Sequence, residues 1–303
     1  MNIQQMKYVV AIANNGSFRE AAKKLFIAQP SLSHAVKELE EELSTKLFER
    51  TNKGANLTSE GVEFVEYAQK ILSQFELIEN RYSNTETKNE HFSISSQHYD
   101  FLAIVISQLL VEEDDYKSFR IFESTTQKII EDVANFRSEV GIIFLNDQNS
   151  AAITRILDKN NLEFESLVSF KTHIFLGSQH PLAEKEVVTE TELRKYPQVR
   201  FTQEANNYSY FSEDLIDTIE TDRVIHTSDR ATLTGILQRT FAYGTGSGIV
   251  EDPSMQGIRL IPLAHSPINR ITILHPKNKQ LSLIAQNFIK ILRDYLISHA
   301  ENE

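Results

Sequence analysis

The 303-residue sequence predicts an all-α head, a winged helix-turn-helix followed by one long helix, joined to an α/β body. Three observations predict it. Residues 16–54 place two short amphipathic helices across a tight polar turn, with a basic hairpin after them. Residues 59–83 carry a heptad-like apolar seam. From residue 91 onward, short strands alternate with helical stretches, the pattern of a sheet with crossover helices.

The head follows from residue spacing. Ile3, Met6, Val9, Val10 and Ala13 share the buried face of a first helix, which Asn14-Asn15-Gly16 ends with residues tolerant of left-handed backbone. Ser17 is an N-cap ahead of Phe18, Ala21, Ala22 and Leu25, again on one face. Phe26 to Gln29 are expected to turn the chain, and Pro30 suits the first turn of the next helix, where a missing N–H costs nothing. Leu32, Val36, Leu39 and Leu43 then repeat at spacings of four, three and four, a single apolar stripe. Beside it lie Gln29, Ser31, Ser33, His34 and Lys37, residue types that reach base edges and phosphates. With Pro30 they form a candidate DNA-reading face; the competing reading is a solvated face on an ordinary helical hairpin. Phe48-Glu49-Arg50 and Ala55-Asn56-Leu57-Thr58 flank Thr51-Asn52-Lys53-Gly54, a wing hairpin that puts Arg50 and Lys53 over a phosphate or in the minor groove.

Charge is partitioned along the chain. Eight Lys/Arg against six Asp/Glu give residues 1–58 a balance of +2, so in a chain of net charge −11 residues 59–303 carry −13. A locally basic head on an acidic protein acts through a few focused contacts, which favours dimeric docking on double-stranded DNA. The next segment offers the dimer. Phe64, Ala68, Ile71, Phe75, Ile78 and Tyr82 alternate spacings of four and three, on a helix of about 37 Å at ~1.5 Å per residue. The competing reading is a core helix inside one domain. Asn84 to Glu90, NTETKNE, is the best linker candidate.

These residues resemble a known family. Residues 1–87 are similar to the winged helix-turn-helix and linker helix of the LysR-type transcriptional regulators, through SFREAAKKLF, AQPSLSHAVKELEEEL and KLFERTNKGANLTSEG. Two positions depart from the family pattern: Ser44, where Gly is usual, and His34, where Arg or Gln is commoner. The resemblance implies a bacterial cytoplasmic regulator, promoter DNA as partner, a homodimer or homotetramer, and RNA polymerase as a possible further partner.

The body reads as α/β by itself. Strands are expected at 92–95, 119–123, 140–145, 173–177, 198–201, 223–226, 248–251, 259–262 and 270–274. Helices are expected at 98–113, 126–136, 190–195, 208–219, 230–241 and 281–299. The alternation implies a parallel sheet. Its element order resembles the two-lobed, periplasmic-binding-protein-like effector domain of the same family. The expected domains are therefore 1–58 (winged helix-turn-helix), 59–87 (dimerisation helix) and 88–303 (effector binding). Lobe I would cover about 91–161 and 267–303, and lobe II about 162–266. About 215 residues suffice for two small cores.

In such a fold a ligand sits at strand C-termini, between lobes, against helix N-termini. Ser95-Ser96-Gln97-His98-Tyr99 follows the first strand, Ser124-Thr125-Thr126-Gln127 the second, and Thr202-Gln203 a second-lobe strand. Ser95, Ser96, Gln97, Thr125, Thr126 and Thr202 are thus the candidate effector residues. For Ser96, Gln97, Thr126 and Thr202 the resemblance adds that effector contacts recur at these positions. The competing reading is ordinary N-caps. Donors dominate these loops, so an anionic or zwitterionic small molecule is the expected ligand. Tyr99, Phe122, Phe201 and Tyr208 are either its apolar walls or core. An overall similarity to regulators of methionine and sulphur-amino-acid supply in Gram-positive bacteria suggests an amino-acid or sulphur-metabolism metabolite.

Other chemistry finds no support in the sequence. There is no Cys, which removes thiolate sites and disulfides and suits a cytoplasmic protein. The nine His show no metal-ligand spacing, and no GxSxG occurs. Gly244-Thr-Gly-Ser-Gly-Ile follows a helix and precedes a strand, the reverse of a dinucleotide fingerprint, and reads as tight turns before Ile249. Residues 1–15 form an amphipathic helix, not a leader, and no run approaches 18 apolar residues. The sequence thus calls for no cofactor, metal or membrane, and for no enzyme. The alternative to an effector-controlled regulator is a constitutive DNA-binding protein whose α/β portion serves oligomerisation or protein contacts. An enzyme fused to a DNA-binding head comes third, for want of a catalytic constellation.

Overall fold

The computed structural model describes residues 1–51, 54–82, 91–113, 116, 118–202, 209–215, 223–250 and 257–300. The chain forms two compact units, Met1–Thr85 and Glu86–Glu303.

The first unit contains α1 (Ile3–Asn15), α2 (Phe18–Lys24), α3 (Gln29–Glu42), β1 (Phe48–Thr51), β2 (Gly54–Leu57) and α4 (Ser59–Tyr82). Local chemistry sets its boundaries. Asn2 and Gln5 form a capping box at the start of α1, and Gly16, at φ 67°, ends it with an N–H donated to Ile12 O. The Ser17 hydroxyl accepts from Glu20 N and starts α2. The turn runs one residue earlier than expected, because Phe26 at φ 55° reverses the chain and Gln29 is already helical. β1 and β2 pair antiparallel with Thr51 opposite Gly54; Asn52 and Lys53 lie outside the described residues. Val9, Ile12, Leu32, Val36, Leu39 and Leu47 fill the core at 0–1% exposure, each such side chain stabilising by about 1.5–3 kcal/mol.

The long helix divides the expected seam. Ala68, together with Val65, is buried inside its own unit, whereas Ile71 and Ile78 remain 39% and 57% exposed, near Tyr67 at 58%. Val65 joins the core built by α1, α2 and α3, and α1 packs against α4, so this part of the seam faces its own unit while Ile71 and Ile78 do not. The Tyr82 side chain lies outside the described residues.

The second unit contains β3 (His91–Ser96), α5 (Leu102–Glu112), β4 (Ser118–Glu123), α6 (Thr126–Ala134), β5 (Val140–Leu145), α7 (Ser150–Lys159), β6 (Leu162–Lys171), β7 (His173–Gly177), α8 (Glu190–Leu193), β8 (Gln198–Phe201), β9 (Val224–Thr227), α9 (Arg230–Arg239), β10 (Tyr243–Gly246), β11 (Ile258–Pro262), β12 (Ile268–Pro276) and α10 (Leu283–Ala300). Two five-stranded sheets result, in the orders β4-β3-β5-β12-β6 and β11-β7-β10-β8-β9. Each sheet centres one lobe.

Several expectations change. The sheets are mixed, not parallel: β12 runs antiparallel to β5 and β6, and β7 antiparallel to β10 and β11. A strand that enters from the other lobe needs no crossover helix and is free to run antiparallel. β6 pairs with β12 in the first sheet, so the chain passes between lobes at Thr172 and not near residue 162. Helix α7, whose Ile153 and Leu157 are buried one turn apart, precedes it without having been anticipated. Helix α5 begins at Leu102 instead of His98, because Tyr99 and Phe101 are drawn into the core and stack at 4.9 Å. The helix expected over 208–219 is, in its described part, a single 3-10 turn, Ser209–Phe211.

The glycine-rich run is a strand and not a set of turns. β10 is Tyr243–Gly246, and residues 248–250 carry no strand. Gly246 permits this: a Cβ there would stand 2.4 Å from the Phe175 ring on the neighbouring strand. Among the described residues no helix is long and apolar enough to cross a membrane.

Candidate functional site

The first unit presents a polar helix face. Gln29, Pro30, Ser31, His34 and Lys37 are exposed on α3, with Ser33 half-buried beside them, while Leu32, Val36 and Leu39 are buried on the opposite side. The structure thus gathers six of the eight candidate DNA contacts on one helix. Ala28 provides no side-chain cap at its start, so the first backbone N–H groups stay open to an acceptor such as a phosphate oxygen. His34 and Lys37 make only loose surface pairs, 3.5 Å to Glu38 and 3.3 Å to Glu41. They are available to another partner at little cost. The Arg50 side chain and Lys53 lie outside the described residues.

Glu40, on the inner side of α3, holds the helix to the wing. Its Oε1 accepts from the backbone N–H groups of Leu47 and Phe48 at 2.8 and 3.1 Å, and Lys46 Nζ lies 2.9 Å from Oε2. Burial pushes the carboxyl up, but hydrogen bonds from Lys46, Leu47 and Phe48 outweigh it and hold the group below its ordinary range. In the sequence it is one acid among several in KELEEEL, and nothing there marks it.

The candidate effector residues separate in the second unit. Ser95 and Ser96 are the last residues of β3, not a loop after it, and both are fully buried. Ser95 Oγ donates to Asp132 Oδ2 at 3.0 Å and lies 2.7 Å from Ser138 Oγ, so it is bound toward α6. Ser96 Oγ donates to the carbonyl of Gln97. Gln97 and Thr126 are brought together: Gln97 Nε2 donates to Thr126 Oγ1 at 2.6 Å. Gln97 Oε1 accepts from Tyr99 Oη and Phe144 N, both at 2.9 Å, so this amide ties β3, β5 and α6 into one rim. Burial, then the Glu213 charge, drives the Tyr99 phenol well above its ordinary value; it stays a neutral donor. Thr125 caps α6 through Lys128 N. Thr202 is exposed, with its N–H and hydroxyl both on Thr227 O.

Between the lobes lies a small, partly open pocket lined from both sides. Phe144 and Phe170 line it from the first lobe, Phe175 and Phe201 from the second. Charged groups cross it. Glu213 Oε2 lies 2.8 Å from His98 Nδ1 and accepts from His98 N, and the His98 ring stacks on Phe201 at 3.8 Å. Arg230 Nη1 pairs with Asp100 Oδ2 at 2.7 Å. Beside them Asp214 joins Arg200 at 2.7 Å and accepts from Gln198 and Thr245.

A family model described as a bacterial regulatory helix-turn-helix protein, lysR family, matches residues 3–62. The LysR substrate binding domain matches residues 117–297, more than half of the chain. The chain belongs to the LysR family. Among its relatives, the uncharacterised HTH-type transcriptional regulator YbhD of Escherichia coli (strain K12) is 26% identical over 299 residues, covering 96% of this chain and 90% of that protein. The HTH-type transcriptional regulator AlsR of Bacillus subtilis (strain 168) is 24% identical over 298 residues, covering 97% and 91%. The crystal structure of full-length CbnR complexed with its target DNA aligns with a TM-score of 0.68 at 18% identity, covering 97% of this chain and all of that one, a likeness of fold. The relatives are transcriptional regulators and not enzymes, and the chain is accordingly a LysR-type DNA-binding regulator with a substrate-binding domain.

Within this LysR-type chain, Ser44 occupies backbone at φ 51°. The position therefore needs the left-handed conformation that the family's usual Gly adopts freely, and Ser44 holds the same turn at a cost. Sequence reasoning missed Glu213, Asp100 and Arg230. Glu213 fell in a stretch read as helix, and Asp100 and Arg230 are 130 residues apart and meet only when the lobes do. One signal was present for Arg230: Ser228-Asp229 just before it opens a helix, and Asp229 indeed caps α9 through Thr232 N.

Proposed function

We propose that this LysR-type protein reads promoter DNA through the start of α3 and changes that binding when a small molecule enters the pocket between its two α/β lobes. The observation that carries the proposal is the pocket itself, with apolar walls and charged groups contributed by both sheets. A ligand held between two lobes stabilises one arrangement of them and shifts an equilibrium only by its difference in affinity for the alternatives. Gln29, Ser31, Ser33 and His34 face base edges, with Pro30 setting the helix entry, while Lys37, Arg50 and Lys53 meet phosphates. Exposed Ile71 and Ile78 on α4 are the contact between two copies, since apolar side chains at this spacing are buried by a second helix. Gln97 is the candidate that lines the pocket, held from behind by buried Thr126, and Ser95 and Thr125 are structural.

The test has two parts on the full-length chain. Selection from a random duplex pool should yield an inverted repeat. A thermal-shift screen against a metabolite panel should then yield a compound that alters the footprint on that repeat. A repeat that emerges while every compound that raises the melting temperature leaves the footprint unchanged would make the body a structural module and contradict the proposal.

A further inference from the structure

The acidic groups around the pocket are all partnered. Glu213 is bonded to His98, Asp100 to Arg230, and Asp214 to Arg200, Gln198 and Thr245. The basic side is not. Arg230 lines the pocket, yet its Nε and Nη2 are buried and have no hydrogen-bond partner among the described residues. Nη1 is the nitrogen that Asp100 engages. Nε and Nη2 together form the side edge of a guanidinium, which meets a carboxylate through two parallel hydrogen bonds. Both atoms are closed to solvent in this arrangement of the lobes, so an acceptor reaches them only when the pocket opens to admit one. Asp100 and the Phe201 ring, 5.8 Å from the guanidinium carbon, hold the group in place.

We propose that the pocket takes a small monocarboxylate with an apolar body, its carboxylate on the Nε/Nη2 edge of Arg230 and its body among Phe144, Phe170, Phe175 and Phe201. This rests on the reading of the pocket as the effector site and narrows it. An amino-acid zwitterion fits worse, because its ammonium finds only carboxylates that already have partners. A neutral amide supplies one acceptor where the edge offers two donors, and sets its own N–H groups against the guanidinium.

Calorimetry on the full-length protein tests this with probes on one framework: phenylacetate, phenylacetamide, phenethylamine and phenylalanine, with 4-methylpentanoate as an aliphatic carboxylate. At least one of the two carboxylates should bind, and phenylacetamide, phenethylamine and phenylalanine should bind about tenfold more weakly or worse. Arg230→Gln should weaken the carboxylate roughly 10- to 100-fold and abolish the preference over the amide. Arg230→Lys, which keeps the charge and packing but not the planar edge, should fall between. Thermal melts confirm that each variant is folded, and Arg230→Lys carries the test if Arg230→Gln is not. Tighter binding of the amide, amine or zwitterion, or carboxylate binding that both substitutions leave unchanged, overturns the assignment while leaving the effector site standing. Failure of both carboxylates to bind at millimolar concentration also overturns it. The effector reading itself falls only if the metabolite screen fails as well.

Discussion

Glu40 gives the sharpest test of how α3 is held to the wing. Replacing it with Ala removes the acceptor of two buried backbone N–H groups, those of Leu47 and Phe48. A buried donor left unsatisfied costs about 1–3 kcal/mol, so the pair amounts to ~2–6 kcal/mol. Lys46 adds little, because its side chain is 70% exposed and the pair is screened. Glu40→Gln keeps an acceptor oxygen and should cost under ~1 kcal/mol. Hydrogen exchange at the Leu47 and Phe48 amides reads this locally in the intact protein. Glu40→Ala should speed both by at least about 30-fold, the equivalent of ~2 kcal/mol. Acid gives a second readout with a fixed sign. The folded carboxyl is held below its ordinary value, so its stabilisation is complete above the unfolded pKa of about 4.3 and is lost as pH falls through the folded value. Glu40→Gln should lack that acid-side loss. Unchanged amide exchange in Glu40→Ala would refute the clamp.

Other outcomes follow from the same structure. Gln29→Ala should cost ~1–3 kcal/mol on a selected site and relax sequence preference, whereas Lys37→Ala should weaken all duplexes alike and lower the salt slope by ~1; equal loss on specific and random DNA for Gln29→Ala contradicts the assignment. Ile71→Glu puts an unpaired carboxylate into the exposed apolar strip of α4 and should weaken self-association, so a wild-type chain that sediments as a monomer at micromolar concentration while still binding its repeat tightly would rule that contact out. Ser44→Gly relieves a left-handed residue worth about 1–2 kcal/mol, partly offset by the greater freedom of Gly in the unfolded chain, and should raise the thermal midpoint; a lower midpoint contradicts the strain.

The head was legible because its signals are local. Ser17, Gly16 and the Leu32/Val36/Leu39 stripe act within a few residues of themselves, and the structure uses each as the spacing predicts. What was not legible depends on distant partners. Ala68 fits a heptad as well as a core, and only the presence of α1 decides between them. Ser95 and Ser96 look equivalent, yet successive strand residues point to opposite faces, and Ser95 is bound to Asp132. Strand β6 is not expected from the sequence and its residues are assigned there to lobe II, because only its pairing with β12, a hundred residues on, fixes its sheet. The pocket charges have the same character, since Glu213 meets His98 across 115 residues of sequence.

The most direct measurement is a hydroxyl-radical footprint of the full-length protein on its selected repeat, with and without a ligand that calorimetry places in the pocket. The account predicts that saturating ligand changes the extent or spacing of protection, and that Arg230→Gln shifts the ligand concentration needed by the same factor as it shifts ligand binding. Identical protection with and without saturating ligand would contradict it.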